Sequence, residues 1–215
     1  MTGLIYKDFL ALRGHLATYL VFFLVYGGLC LAGVFPSSVL CAMVVLISLI
    51  TPMSTVAADD MSRWNRFAVA TPACRRGVVA GKYLFTLLIV LLSMAVVAVL
   101  LAVLSLAGAP LEDPLGEMLL ATLLCGGAAL LMNGVTLPLL LKYGAEKARM
   151  VSMALFLVVF GGCTLLALAA QRGLALPAPP AWLAAALPGL LAILAVGGFA
   201  LSYFIAQAVY AKKEF

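Results

Sequence analysis

Residues 59–82, DDMSRWNRFAVATPACRRGVVAGK, form the one long polar stretch in a chain that is 66% hydrophobic. Asp59 and Asp60 stand at its start, beside an apolar run, where paired carboxylates could hold Mg²⁺ for a reaction on a lipid phosphate. Such sites use more than two carboxylates, and no second acidic cluster accompanies this pair on its side of the predicted membrane. The G-x-S-x-G, H-E-x-x-H and G-x-x-x-x-G-K-[ST] motifs are also missing from the sequence. We therefore predict that the chain is not an enzyme.

The cysteines and the single histidine, His15, do not follow a metal-binding pattern. None of the five cysteines belongs to a C-x-x-C pair, and four of them lie inside apolar runs. In such runs cysteine behaves as a small hydrophobic residue. We predict no disulfide, no metal site and no cofactor bound by this chain.

The composition favours a membrane protein. Only 10% of the residues are charged and the mean hydropathy is +1.22, whereas soluble domains carry about 25% charged residues. A net charge of +5 would suggest nucleic acid for a soluble protein. Here the positive residues flank apolar runs, so we expect membrane lipid as their partner and no nucleic acid.

The uncharged stretches are long enough for six helices that cross a bilayer. Each crossing needs about 20 apolar residues, and the first stretch is divided by the turn sequence AGVFPSS. We predict an all-α membrane protein, with 16–215 as its transmembrane domain. The predicted spans are 16–34, 37–56, 83–107, 117–141, 151–170 and 183–210.

The positions of lysine and arginine predict the orientation. With six spans both termini lie on one side, and that side also receives all but one of the 13 basic residues, the exception being Arg172. Positive residues accumulate on the cytoplasmic side. We therefore predict a bacterial cell-membrane protein with both termini inside and with 57–82 as its large cytoplasmic loop.

Residues 1–15 predict an amphipathic helix that lies in the inner headgroup region before the first span. Its apolar stripe consists of Ile5, Phe9, Leu12 and Leu16. Lys7 lies on the opposite face, and Arg13 adds positive charge near the end of the segment. A frayed cytosolic start is the alternative.

Apart from Glu117 at the edge of the fourth span, the predicted spans contain no Asp, Glu, Lys, Arg or His. Ion-coupled transporters place ionisable groups near the membrane midplane, so this chain needs an external source of energy. Asn133 is a strong polar side chain in the spans, and it could line a substrate path or make an interhelical hydrogen bond. Pro52, Pro138 and Pro188 each free a backbone carbonyl and permit a kink.

The polar segment itself predicts two helices with a break. Asp60 is an N-cap candidate for a short helix to about Ala70 that presents an exposed Trp64. Thr71 and Pro72 signal a second helix, which continues into the third span. Arginines in its first turns oppose the helix dipole, so an anionic partner is expected, either lipid phosphate or a carboxylate of another protein.

Two stretches, GLIYKDFLALRGHLATYL and DDMSRWNRFAVATPACRRGVVAGKYLF, resemble the membrane subunit of type-two ABC exporters. The chain is most similar to the small six-span bacterial permeases that include peptide and lantibiotic exporters. Their loop after the second span carries an acidic residue, a tryptophan, a proline with basic residues nearby, and Lys-Tyr. The matching residues are Asp59 or Asp60, Trp64, Pro72 with Arg75 and Arg76, and Lys82-Tyr83. The resemblance covers roughly the first 90 residues, and the remainder matches in topology alone.

This resemblance implies a permease that pairs with an identical or homologous permease and with a separate cytosolic ATPase, which binds ATP and Mg²⁺. Segment 57–82 would be the loop that docks on the ATPase, and 1–15 would be the connecting helix. The residues implied in ATPase coupling are Asp59, Asp60, Arg63, Trp64, Arg66, Pro72, Arg75 and Arg76. The implied activity is export of an amphipathic peptide or lipid-like molecule. A non-transporting bacteriocin-immunity or scaffold protein and an ion-driven secondary transporter are the alternatives.

Overall fold

The computed structural model describes residues 2–64, 74–108, 113–171 and 181–211, and this part of the chain is all α-helical. The all-α prediction is confirmed. The helices are α1 (Thr2–Ala11), α2 (Arg13–Leu31), α3 (Ser38–Met61), α4 (Cys74–Leu106), α5 (Leu115–Tyr143), α6 (Ala145–Gln171) and α7 (Ala181–Ala211). A turn at 32–37 separates α2 from α3, at the position predicted from AGVFPSS.

Five of the described helices are long and apolar enough to cross a membrane. These stretches are Arg13–Leu31, Ser38–Met61, Arg76–Leu106, Leu115–Tyr143 and Pro188–Ala211. Helix α6 covers the predicted fifth span but is not one of the five, so six crossings remain a prediction. The large apolar side chains exposed along these helices suit a hydrocarbon solvent, and Leu157 and Val158 of α6 are each more than 70% exposed.

Helix α5 is the centre of the bundle and packs against α3, α4, α6 and α7. Its buried side includes Ala129, Asn133 and Leu137, each 0% exposed. At Gly134 the chain of α7 comes close, because a Cβ there would lie 3.7 Å from the Cβ of Ser202. Small residues permit such close contacts between helices in lipid.

The predicted helix starting at Asp60 is wrong at its first residue. Helix α3 continues through Asp59 and Asp60 to Met61, because helical backbone hydrogen bonding continues past Asp60. The chain turns at Ser62, whose backbone N–H donates to the Ala58 carbonyl, and at Arg63, whose φ is 53°. Both carboxylates therefore lie in the last turn of a long helix, which fixes their directions.

Helix α1 lies within the predicted segment 1–15, but it ends at Ala11 and a turn at Leu12 separates it from α2. Phe9 packs edge-on against Phe85 of α4, with ring centroids 5.4 Å apart, and Leu12 is 1% exposed in the same cluster. The predicted apolar stripe thus contacts the bundle at these two residues. Position in the headgroup region remains a prediction.

Candidate functional site

Four charged side chains from three helices meet at one end of the bundle, which we call the base. This ion cluster consists of Lys7 and Asp8 of α1, Asp59 of α3 and Lys82 of α4. The Lys82 Nζ lies 2.9 Å from Asp8 Oδ1 and 2.7 Å from Asp59 Oδ2. The Lys7 Nζ lies 2.5 Å from Asp59 Oδ1 and 3.4 Å from Asp8 Oδ1. The four formal charges cancel.

The ion cluster is largely removed from solvent. Asp8, Lys82 and Asp59 are 2%, 4% and 7% exposed, and the Lys7 side chain is 26% exposed. A buried ion pair adds little net stability compared with an apolar replacement, but removal of one partner leaves an unpaired charge and is strongly destabilising. The ion cluster therefore fixes the relative positions of α1, α3 and α4 at the base.

Asp60 connects α3 to a further pair of helices. Its Oδ2 accepts a hydrogen bond of 3.2 Å from the backbone N–H of Ala145, the first residue of α6. A carboxylate at a helix N-terminus also interacts favourably with the helix dipole. The preceding residue, Gly144, ends α5 with a φ of 83°. Asp59 and Asp60 thus join the end of α3 to α1 and α4 on one side and to the α5–α6 corner on the other.

Trp64 is half-buried, and the prediction of an exposed tryptophan is wrong. The Lys7 Nζ lies 4.6 Å from the centroid of its ring, and the ring packs beside an apolar cluster that includes Val78, Leu141 and Tyr210. The Lys7 cation is thus shared between Asp59 and the face of an aromatic ring. The large ring of Trp64 packs at the base against apolar side chains of α4 and α5, and this packing removes part of the ring from solvent.

The other predicted coupling residues are partly described. Arg63 and Arg76 are exposed, as is Arg13 at the start of α2. Arg66 and Pro72 lie outside the described residues, and so does the side chain of Arg75. Helix α4 continues without a break from Cys74 past Lys82 into the third predicted span. Among the described residues, no acidic side chain is ion-paired with Arg76.

Sequence reasoning missed Asp8 and the pairing role of Lys82. Asp8 lies on the buried side of α1, one turn before Leu12. An acidic residue next to an apolar stripe is the available signal, since a carboxylate on a packed face needs a cation. Its partner is 74 residues away in sequence, and helical periodicity carries no information about such a distant pair.

An open groove of about 780 Å³ runs between α3 and α6. Most of its lining is apolar, including Leu46, Ile50, Met53, Phe156 and Leu157. Asp60, Glu146 and Arg149 line it near the base. The groove therefore combines an apolar wall with charged groups of both signs at one end.

Asn133 joins two helices within the bundle. Its Nδ2 donates to the Ser48 carbonyl of α3 at 3.0 Å and to the Ala129 carbonyl of its own helix at 2.9 Å. The side chain is fully buried and does not line the α3–α6 groove. This geometry is that of the interhelical hydrogen bond considered above, while a substrate-path role remains untested.

We expect Gly144→Ala to weaken the base. An alanine there is strained at a φ of 83°, and its Cβ would lie 3.2 Å from Asp60 Oδ2. Such backbone strain costs about 1–3 kcal/mol, so the thermal unfolding midpoint should fall by several degrees. Gly33→Ala is the matched control, because Gly33 has a φ of 70° with nothing near its Cβ position. Equal shifts in the two variants would show that the Asp60 contact is unimportant.

The described helices and their hydropathy define a multi-pass helical membrane protein, with an ion cluster at one end of the bundle. The family model of the ABC-2 family transporter proteins matches residues 3–211, and the chain belongs to this family. It is therefore a type-two ABC permease, as the sequence resemblance predicted. Permeases of this family are membrane components of ABC transporters and in general act with an ABC ATPase. Comparisons with curated proteins and with solved structures find no match.

Proposed function

We propose that this permease exports an amphipathic peptide or lipid-like molecule from the cell, driven by a cytosolic ATPase that docks on 57–82. The ATPase supplies the ATP and Mg²⁺ chemistry, and a second permease chain, identical or homologous, completes the transporter. Membrane lipid surrounds the bundle. Apart from Glu117 at the edge of the fourth span, the stretches predicted to cross the bilayer contain no Asp, Glu, Lys, Arg or His, which favours an external motor over ion coupling.

The observation that carries this proposal is the ion cluster at the base. Segment 57–82 includes the last turn of α3, with Asp59, and the first turns of α4, with Lys82, and the Lys82 Nζ lies 2.7 Å from Asp59 Oδ2. A force on the loop therefore reaches α3 and α4 at one point, together with α1 through Lys7 and Asp8. This is the arrangement that a permease driven through one loop requires.

The exposed charge on the flanks of the loop supports docking of a protein. Arg76 lies in the first turn of α4, where the helix dipole disfavours a cation. An acidic surface on the ATPase would compensate for this charge. Lipid phosphate is the competing partner for the same side chain.

The α3–α6 groove supports the choice of cargo. Its apolar wall suits hydrocarbon or apolar peptide side chains, and Glu146 and Arg149 near the base can bind polar groups of either sign. The groove is open along one side, which a second permease chain would close. An amphipathic molecule fits this combination better than a small hydrophilic solute does.

The test is purification of the tagged permease from its own cells, followed by reconstitution with the ABC ATPase that accompanies it. We expect the ATPase to copurify with the tagged permease in near-equal amounts. In liposomes with the ATPase outside, ATP should drive uptake of a fluorescent amphipathic peptide or of fluorescent phosphatidylethanolamine, which corresponds to export in the cell. A non-hydrolysable ATP analogue is the control.

Three results would contradict the proposal in different ways. If the tagged permease purifies without any ATPase, that result would favour the immunity or scaffold alternative. Movement of either probe by an ion gradient without ATP would indicate a secondary transporter. ATP-driven movement in the opposite direction would identify an importer.

A further inference from the structure

Two prolines interrupt the backbone hydrogen bonding of α3 and α5, and a neighbouring helix compensates at both places. Pro52 has no N–H to donate to the carbonyl of Ser48, four residues earlier. Asn133 Nδ2 of α5 donates to that carbonyl at 3.0 Å. Pro138 likewise frees the carbonyl of Gly134, and Ser202 Oγ of α7 donates to it. Each freed carbonyl thus has a side-chain donor from another helix.

The two replacement hydrogen bonds are adjacent and continue toward the base. Asn133 and Gly134 are consecutive residues of α5. The Tyr83 hydroxyl lies 2.6 Å from Ser202 Oγ, and because Ser202 donates its proton to Gly134, Tyr83 donates to Ser202. Tyr83 directly follows Lys82 of the ion cluster. One hydrogen-bonded chain therefore leads from the base to the Pro138 site, next to the Pro52 site.

Helix α3 has a composition that bends easily around Pro52. Four side chains near Pro52 donate back to carbonyls of the preceding turn: Ser48 to Val44 at 2.5 Å, Thr51 to Ile47 at 2.7 Å, Ser54 to Ile50 at 2.9 Å and Thr55 to Pro52 at 2.9 Å. Such back-bonding loosens the helical ladder and accompanies bends, as does a proline inside a helix. Bending of α3 at Pro52 would therefore break few additional backbone hydrogen bonds.

The segments beyond the two prolines belong to the base. In α3 this segment carries Asp59 of the ion cluster, and in α5 it leads to Gly144. The Asp60–Ala145 hydrogen bond joins the two segments to each other. Both are therefore linked to each other and, through the ion cluster, to α1 and α4.

We propose that Pro52 and Pro138 form a paired hinge about which the base moves as one unit, with Asn133 and Ser202 as positioning residues that hold it in the described state. Asn133 Oδ1 is buried and has no donor within the described part of the chain. A buried acceptor without a partner costs free energy. A second arrangement of α3 against α5 that pairs this oxygen would offset the loss of the Ser48 hydrogen bond.

The test is a pair of double-mutant cycles on the full chain in lipid nanodiscs, read by amide hydrogen exchange. Asn133→Leu should speed the exchange of the α3 amides around Pro52 about tenfold, as expected for the loss of one buried hydrogen bond. In a Pro52→Ala background a backbone N–H again reaches the Ser48 carbonyl. In the Pro52→Ala background, Asn133→Leu should speed the exchange of these α3 amides about twofold or less. Ser202→Ala and Pro138→Ala form the second cycle.

The crossed combinations are the matched controls. Asn133→Leu should keep its tenfold effect with Pro138→Ala, and Ser202→Ala should keep its effect with Pro52→Ala. If Asn133→Leu does not fold alone, recovery of folded protein by Pro52→Ala but not by Pro138→Ala supports the hinge. The hinge would be overturned if Asn133→Leu and Ser202→Ala changed exchange equally in all backgrounds. It would also be overturned if neither proline variant recovered the folded protein.

A transport measurement separates a hinge from a static contact. Pro52→Ala restores a backbone hydrogen bond, so its unfolding midpoint should rise while ATP-driven transport falls by about tenfold. Unchanged transport in that variant would overturn the hinge. The transport measurement rests on the proposed function, whereas the hydrogen-exchange cycles do not. Failure of the proposed function can therefore be distinguished from failure of the hinge.

Discussion

Replacement of Lys82 by methionine is expected to prevent accumulation of the folded protein. Lys82 is 4% exposed and is the only residue of the ion cluster within 3 Å of both carboxylates, Asp8 and Asp59. Without it two buried negative charges remain close together, with the partly exposed Lys7 as their nearest cation. Loss of one member of a buried ion pair costs about 3–5 kcal/mol, a large share of the stability of most domains. The measurement is the amount of protein in the membrane and its unfolding midpoint.

Two further variants define the cause. Lys7→Met should lower the midpoint less, since its side chain is 26% exposed and Lys82 still contacts both carboxylates. Asp8→Asn combined with Lys82→Met should recover part of the loss, because one of the two unpaired charges is then removed. A Lys82→Met protein that unfolds at the wild-type temperature would show that the ion cluster does not hold the base together.

Reversal of the charge at Arg76 is expected to reduce ATP-driven transport about tenfold without loss of folded protein. The side chain is exposed, and a glutamate at the first turn of α4 suits the helix dipole. Facing an acidic surface of the ATPase, however, the new carboxylate would repel its partner. Transport and ATPase copurification in the reconstituted system measure this effect.

Lys147→Glu is the matched control, since Lys147 is an exposed basic residue on α6, outside the docking segment. If Arg76 contacts lipid phosphate alone, the Arg76→Glu protein will retain its ATPase and its transport. Trp64→Ala should act in the same direction as Arg76→Glu. Because Trp64 is half-buried against Lys7, that variant also loses packing at the base and is less informative about docking.

The positions of the helices were predictable because a membrane-crossing helix requires a property that is local in the sequence. The predicted spans 37–56 and 117–141 lie within α3 (Ser38–Met61) and α5 (Leu115–Tyr143) apart from one residue. A helix that crosses the hydrocarbon of a bilayer needs a continuous apolar stretch of sufficient length, and such a stretch can be recognised directly in the sequence. The helices extend beyond the predicted ends because backbone hydrogen bonding in a helix does not require apolar side chains.

The arrangement of the site was less predictable. Asp59 and Lys82 were recognised as members of one charged segment, but their mutual contact and the role of Asp8 depend on how three helices pack. Trp64 was predicted to be exposed, because nothing in its neighbours in sequence shows that α4 and α5 cover it. For Asn133 the sequence left two roles open, and only the packing of α5 against α3 shows that it donates to the Ser48 carbonyl.

The long separation of Asp8 from Lys82 has a consequence for biogenesis. Asp8 leaves the ribosome 74 residues before its main cation does. Until then α1 cannot complete its contacts, even if the two helices that follow it are already inserted. Helix α1 is therefore expected to reach its final place only after the start of α4 has been made, although α1 precedes α4 in the chain.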